Sequence, residues 1–130
     1  MAKTAAEMVA AAKRQIENLT VEQTAAEMAA ESITLVDIRE PGERIQHGAI
    51  PGAVSAPRGM LEFWADPTSS YHRPEFDPNG RMILHCASGG RSALAVETLK
   101  TMGYANVAHL DGGFNAWKAA GHPVEETVVA

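Results

Sequence analysis

Cysteine is nearly missing from this chain: Cys86 is the only one in 130 residues. A single thiol closes no internal disulfide, and it leaves no second thiol to resolve a bond formed on the first. Aromatic residues make up only 5%, and no apolar run reaches the ~18–20 residues a membrane-spanning helix needs. Basic residues are outnumbered, 11 Lys and Arg against 16 Asp and Glu, and a formal net charge of −5 argues against nonspecific nucleic-acid binding. The alanine-rich start, Met1 to Glu7, carries an early acid and no apolar signal core, so no secretory leader is expected. Five histidines accompany the cysteine without close ligand spacing, so neither metal nor cofactor is expected. The expectation is a cytoplasmic protein that binds neither membrane nor nucleic acid.

What remains is ordinary globular material. A length of 130 residues with 45% hydrophobic and 21% charged residues suits one domain with a sizeable core. Thr4-Ala5-Ala6-Glu7 and Thr20-Val21-Glu22-Gln23 each match a capping box, in which a hydroxyl and a side-chain carbonyl satisfy free helix N–H groups. Met8, Val9, Ala12, Ile16 and Leu19 fall on one helical face, so the first helix is expected to run to about Leu19. The second opens at Thr20 and runs to about Ala30. Ile33–Ile38, Val54–Pro57, Met82–His85 and Val107–Leu110 read as strands. Arg91–Met102 and Phe114–Ala120 read as helices, each followed by glycine. Residues 39–48 read as a turn with a short helix. Met60–Trp64 reads as one or two helical turns, and Pro67–Gly80 as a surface loop. Strands alternating with helices predict an α/β fold with a mostly parallel sheet covered on both faces.

The chemistry concentrates at the single thiol. Cys86-Ala87-Ser88-Gly89-Gly90-Arg91-Ser92 follows the apolar strand directly, so Cys86 stands at the carboxyl end of that strand, where open α/β sheets bind ligands. The loop runs into a helix whose positive end faces the sulfur. Backbone N–H groups and a nearby cation lower a thiol's pKa and favour the nucleophilic thiolate. A merely structural cysteine has no use for two adjacent glycines and an arginine. His85, one residue earlier, is placed on the opposite face of the strand by alternation, which argues against a role as general base.

Three stretches together resemble the rhodanese family of sulfurtransferases. They are Leu35-Val36-Asp37-Ile38-Arg39-Glu40 leading to Glu43 and His47-Gly48-Ala49-Ile50-Pro51-Gly52-Ala53, the Cys86–Ser92 loop, and Leu110-Asp111-Gly112-Gly113-Phe114-Asn115-Ala116-Trp117. The resemblance implies a three-layer sandwich of about five mostly parallel strands. It divides the chain into a helical extension over 1–19, a rhodanese-like domain over 20–125 and a tail over 126–130. It also implies a persulfide enzyme. Cys86 would take the outer sulfur of thiosulfate, or of another sulfane donor, and pass it to cyanide or a thiol. That acceptor is a small molecule or a thioredoxin-like protein, and the enzyme is a monomer or homodimer. Backbone groups of Ala87, Ser88, Gly89, Gly90 and Ser92 would cradle the sulfur, and Arg91 would hold the sulfonate.

Arg58 is a second candidate cation, on the premise that the strand before it lies beside the Cys86 strand. Asp37, Arg39, Glu43 and His47 are expected to fix loops near the site, and Asp111 and Trp117 to anchor the fold. The alternatives are 3-mercaptopyruvate as donor, a persulfide carrier or interaction module, and phosphatase chemistry. The last is disfavoured because four residues, rather than the five of cysteine phosphatases, separate Cys86 from Arg91.

Overall fold

The computed structural model describes residues 2–30 and 32–128. Five strands form one sheet: β1 (Glu17–Leu19), β2 (Thr34–Asp37), β3 (Val54–Ser55), β4 (Met82–His85) and β5 (Val107–Leu110). Their order is β1-β5-β4-β2-β3 and every neighbouring pair is parallel. Six helices surround it: α1 (Ala5–Lys13), α2 (Val21–Ala30), α3 (Pro41–His47), α4 (Leu61–Ala65), α5 (Gly90–Thr101) and α6 (Gly113–Ala119). None of the described helices is long and apolar enough to cross a membrane.

The strands β4 and β5 occupy the spans expected from their apolar runs. Both capping boxes form: Thr4 and Glu7 exchange bonds of 3.0 and 3.1 Å, and Thr20 and Gln23 bonds of 2.9 and 3.0 Å. The first helix is shorter than its apolar spacing predicts. It stops at Lys13, and Glu17–Leu19 is a strand in register with Ala108–Leu110. Leu19 therefore belongs to the sheet rather than to a helical stripe. The 60–80 segment is anchored by Phe76, which is buried among α4, α5 and the sheet, and by Tyr104 Oη donating to the Ala65 carbonyl at 2.7 Å. At the other terminus, Ala49 and Glu125 exchange two backbone bonds of 2.8 Å. Residues 129–130 of the expected tail lie outside the described residues.

Strand alternation divides the core into two layers. Val36, Met82, Leu84, Cys86 and Val107 pack with α4 and α5 on one face. Leu35, Ile83, Ala108, Leu110 and Leu19 pack with Phe114 and Trp117 of α6 on the other. Trp117 is anchored as expected, buried with Nε1 donating to the Pro123 carbonyl at 2.8 Å. Asp111 is instead an exposed carboxylate paired with Lys13 at 2.8 Å.

At the carboxyl end of β2, Asp37 is wholly buried and receives Arg39 Nη2 and Arg44 Nη1, each at 2.8 Å. Arg39 also donates to the Gly48 carbonyl at 2.9 Å and lies 4.2 Å above the Phe114 ring. The group ties β2 to α3, to the turn after α3 and to α6. Removing one member of a buried ion group strands the others. Asp37→Asn should cost about 3–5 kcal/mol, read as a fall in urea midpoint with the slope unchanged.

Acid should weaken the same region in two stages. His85 is fully buried, and burial holds its pKa below the ordinary value while Asp37 pulls the other way. The unfolded chain then binds the proton more readily, so stability declines as pH falls below about 6.5. For Asp37, burial alone would raise the carboxyl, but the hydrogen bonds and charges of Arg39, with that of His85, outweigh it and lower the pKa. Its contribution is present above about pH 3.9 and is lost as pH falls through the lower folded value. Thermal unfolding followed against pH should show Tm beginning to fall near the histidine range, and His85→Asn should shrink that first stage.

Candidate active site

The loop after β4 turns back on its own sulfur. Gly89 sits at φ +104°, a conformation that favours glycine, and its N–H reaches Cys86 Sγ at 3.1 Å. The amides of Ser88 and Ser92 also act on the sulfur, and Ser92 Oγ lies 3.5 Å from it. Burial pushes the thiol pKa up, but these hydrogen bonds, the Ser92 hydroxyl foremost, outweigh it and leave the thiol below its ordinary value. Cys86 is only 1% exposed, yet the sulfur is ringed by N–H groups rather than by hydrocarbon alone. Ser88 stands exposed on the rim, and Ala87 and Gly90 are half-buried.

The loop is held from behind. The first amides of α6 donate to its outward-turned carbonyls, Phe114 N to Cys86 O at 2.8 Å and Asn115 N to Ala87 O at 2.9 Å. With carbonyls directed outward, successive N–H groups face the sulfur, the arrangement of an anion nest. Gly113 permits this approach: a Cβ there would lie 2.6 Å from the Cys86 carbonyl oxygen and 2.7 Å from the Ala87 carbonyl. The Asp111-Gly112-Gly113 turn is thus part of the construction of the thiol site.

Arg91 begins α5 beside the sulfur and interacts with it, but its guanidinium is bound by Glu43 through two bonds of 2.8 and 2.9 Å. Those bonds, aided by the Glu40 amide, overcome the opposing effect of burial and hold the Glu43 carboxyl at about 2. Glu43 of α3 therefore fixes the direction of the cation and supplies part of its countercharge. Asp37, Arg39 and Glu43 do tie down loops near the site, whereas His47 is exposed at the end of α3. Arg58 does not sit as expected, because β3 pairs with β2 at the sheet edge and not with β4. Its guanidinium bonds Glu62 at 2.7 Å and Thr98, in the third turn of α5, at 3.5 Å.

Two histidines flank Cys86 on opposite faces of the sheet. His85 stacks near Phe114, and its Nδ1 lies 3.1 Å from the Cys86 carbonyl oxygen, so that nitrogen carries the proton. His109 is the residue sequence spacing missed. Fully buried on the face of Cys86, its Nδ1 lies 2.8 Å from Ser92 Oγ and its Nε2 lies 2.7 Å from Asn18 Oδ1. Burial lowers its pKa to about 4, with the Asp111 charge opposing and that of Lys13 assisting. The available signal was alternation along Val107-Ala108-His109-Leu110, which places His109 and Cys86 on one face once β5 is known to adjoin β4.

Gly113→Ala tests how the loop is held. At φ +61° the added Cβ incurs a backbone penalty of about 1–2 kcal/mol, and the overlap with the loop adds to it. Chemical denaturation should show a loss exceeding that penalty alone. The thiol should also titrate at higher pH, because the loop amides are displaced.

A rhodanese-like domain model matches residues 20–120. A sulfurtransferase of Allochromatium vinosum is 34% identical over 94 residues, which are 72% of this chain and 79% of that protein. A Rhodopseudomonas palustris structure, described as of unknown function and "possible tyrosine phosphatase", superposes with TM-score 0.91 at 43% identity over 96% of each chain. A thiosulfate sulfurtransferase from Pseudomonas aeruginosa superposes with TM-score 0.70 at 29% identity, over 92% of this chain and 22% of that one. With the cysteine loop, the parallel sheet and these likenesses together, the chain belongs to the rhodanese-like domain family, a family of sulfurtransferases and sulfur carriers.

Proposed function

We propose that this protein is a thiosulfate sulfurtransferase working through a persulfide on Cys86. The observation that carries the reading is the set of loop amides around a sulfur whose pKa is lowered, with the Gly89 N–H at 3.1 Å. The Cys86 thiolate attacks the outer sulfur of thiosulfate. A sulfur–sulfur bond forms to Cys86 as the bond to the sulfonate sulfur breaks, and sulfite leaves with that electron pair. The terminal persulfide sulfur is anionic and is held by the same amides. Cyanide or a thiolate then attacks it, carries the sulfur away and restores the Cys86 thiolate. This is covalent, ping-pong catalysis. The chain has no second cysteine, so the sulfur leaves to another molecule.

Arg91 would bind the sulfonate in exchange for part of its bond to Glu43. Cys86 is only 1% exposed, so thiosulfate would have to reach the amide-lined bowl with its outer sulfur first. Four residues between Cys86 and Arg91 make that bowl small for a tetrahedral phosphate. A persulfide carrier that hands sulfur to a partner protein uses the same intermediate and differs only in its acceptor.

Intact mass after incubation with thiosulfate should rise by one sulfur atom, about 32 Da, and return to the starting value with cyanide. Cys86→Ser should show no gain. Arg91→Ala should raise KM for thiosulfate by at least about tenfold, the loss of one charge-assisted contact of roughly 1.5 kcal/mol, while Tm moves little. Turnover of p-nitrophenyl phosphate with no sulfur gain from thiosulfate would refute the reading.

A further inference from the structure

The hydrogen-bond chain that touches Cys86 does not end at Ser92. It continues from Ser92 Oγ to His109 Nδ1 at 2.8 Å, and from His109 Nε2 to Asn18 Oδ1 at 2.7 Å. It thus links a buried sulfur, a buried hydroxyl and a fully buried imidazole to an exposed amide on β1.

The direction of each bond can be read. The Asn18 Nδ2 group donates to the carbonyls of Lys13 at 2.9 Å and Ile16 at 3.2 Å. Its oxygen therefore faces the ring, and Nε2 of His109 carries a proton. In the neutral ring, Nδ1 accepts from the Ser92 hydroxyl, whose oxygen accepts from the thiol. When Nδ1 takes a proton, both bonds invert with no heavy atom moving. Nδ1–H then donates to Ser92, and Ser92 donates to a thiolate.

We propose that Ser92, His109 and Asn18 form an internal proton conduit that draws the proton off Cys86 and stores it on His109, so that the resting site is a thiolate–imidazolium pair. The proposal deepens the preceding reading and rests on Cys86 being the nucleophile. The balance is simple. The S–H bond breaks as an O–H bond forms at Ser92, and the original Ser92 O–H breaks as an N–H bond forms at Nδ1. The electron pair stays on sulfur and nothing is oxidised. Ser92 touches the reacting atom, whereas His109 acts through Ser92 and is a positioning residue, as is Asn18.

The surroundings support such a pair. Taken alone, an imidazolium at this depth is disfavoured, since burial lowers His109 to about 4. A thiolate two hydrogen bonds away, in a site closed to water, supplies the opposite charge that burial otherwise denies. The other charged groups facing the ring are Asp111, after β5, and Lys13, from α1. They pair with each other at 2.8 Å and act on His109 in opposite senses. The catalytic loop closes over the ring: a Cβ on Gly89 would lie 3.7 Å from His109 Cε1. Arg91 is engaged by Glu43, and His85 lies on the far face of the sheet, so neither can replace His109 as the proton store.

The test is the titration of the thiolate, followed by the ultraviolet absorbance it adds, with Cys86→Ser as blank. His109→Gln keeps an acceptor for the Ser92 hydroxyl but takes up no proton. It should raise the pH of half-loss of thiolate by at least about one unit, a tenfold change in the protonation equilibrium. A merely structural histidine would leave that midpoint in place, and an unchanged midpoint overturns the proposal. A second measurement uses the unaltered protein and so does not depend on the variant folding. The ring nitrogen shifts of His109 at neutral pH should be those of imidazolium in the wild type and of a neutral ring in Cys86→Ser. A neutral ring in the wild type overturns the proposal. Sulfur uptake measured on the wild type separates the two readings, because persulfide formation with an unshifted His109→Gln titration removes the conduit and leaves the transferase.

Discussion

Two hydrogen bonds from the start of α6 govern the whole site. By accepting the amides of Phe114 and Asn115, the carbonyls of Cys86 and Ala87 are turned away from the sulfur. The N–H groups of Ser88, Gly89 and Ser92 in the same short loop act on the sulfur. A helix end that would otherwise leave free donors is satisfied by a loop that would otherwise leave free acceptors. The approach needs a residue without a Cβ at 113. The thiol site is therefore a property of two distant segments, residues 86–92 and 111–115, and not of the cysteine loop alone.

Around this contact the protein buries several polar and charged side chains. Asp37, Arg39, His85, Ser92 and His109 are all at most 1% exposed. Burial of such groups is costly unless each finds a partner. On the α6 face Arg39 and Arg44 pair with Asp37, but Arg44 Nε has no hydrogen-bond partner, nor has His85 Nε2, which lies 3.7 Å from the carboxylate. On the α5 face His109 is satisfied at both ring nitrogens. The unfinished histidine lies beside a buried ion group, while the fully bonded one lies behind the Cys86 thiol. Two apparently similar strand histidines thus serve different ends, and the parity of their strand positions decides which.

Much of this was legible from local patterns. The capping boxes, the apolar runs of β4 and β5, and the helix after the cysteine are short-range features whose physics is complete within a few residues. The three motif stretches identified the family, and the turn at Gly112-Gly113 lies between β5 and α6 as read. The early end of α1 was not legible, because Ile16 and Leu19 continue its helical spacing and only pairing with β5 draws Glu17–Leu19 into the sheet. Nor was the Glu43–Arg91 pair, which joins residues far apart in the chain. Arg58 was misplaced for a related reason: no local signal says which neighbour a two-residue strand will choose.

The amino-acid order alone determined what kind of chemistry is available, since a lone thiol, two glycines and an arginine at short range are covalently arranged and need no tertiary contact to be adjacent. The folded sheet decided what surrounds that thiol. Strand order and register bring Asn18, His109 and Ser92 into line behind it and turn Glu43 toward Arg91, and these are contacts between segments whose meeting depends on packing of the whole core. A local motif can announce a nucleophile, whereas its protonation depends on the electrostatics of neighbours that only the fold assembles.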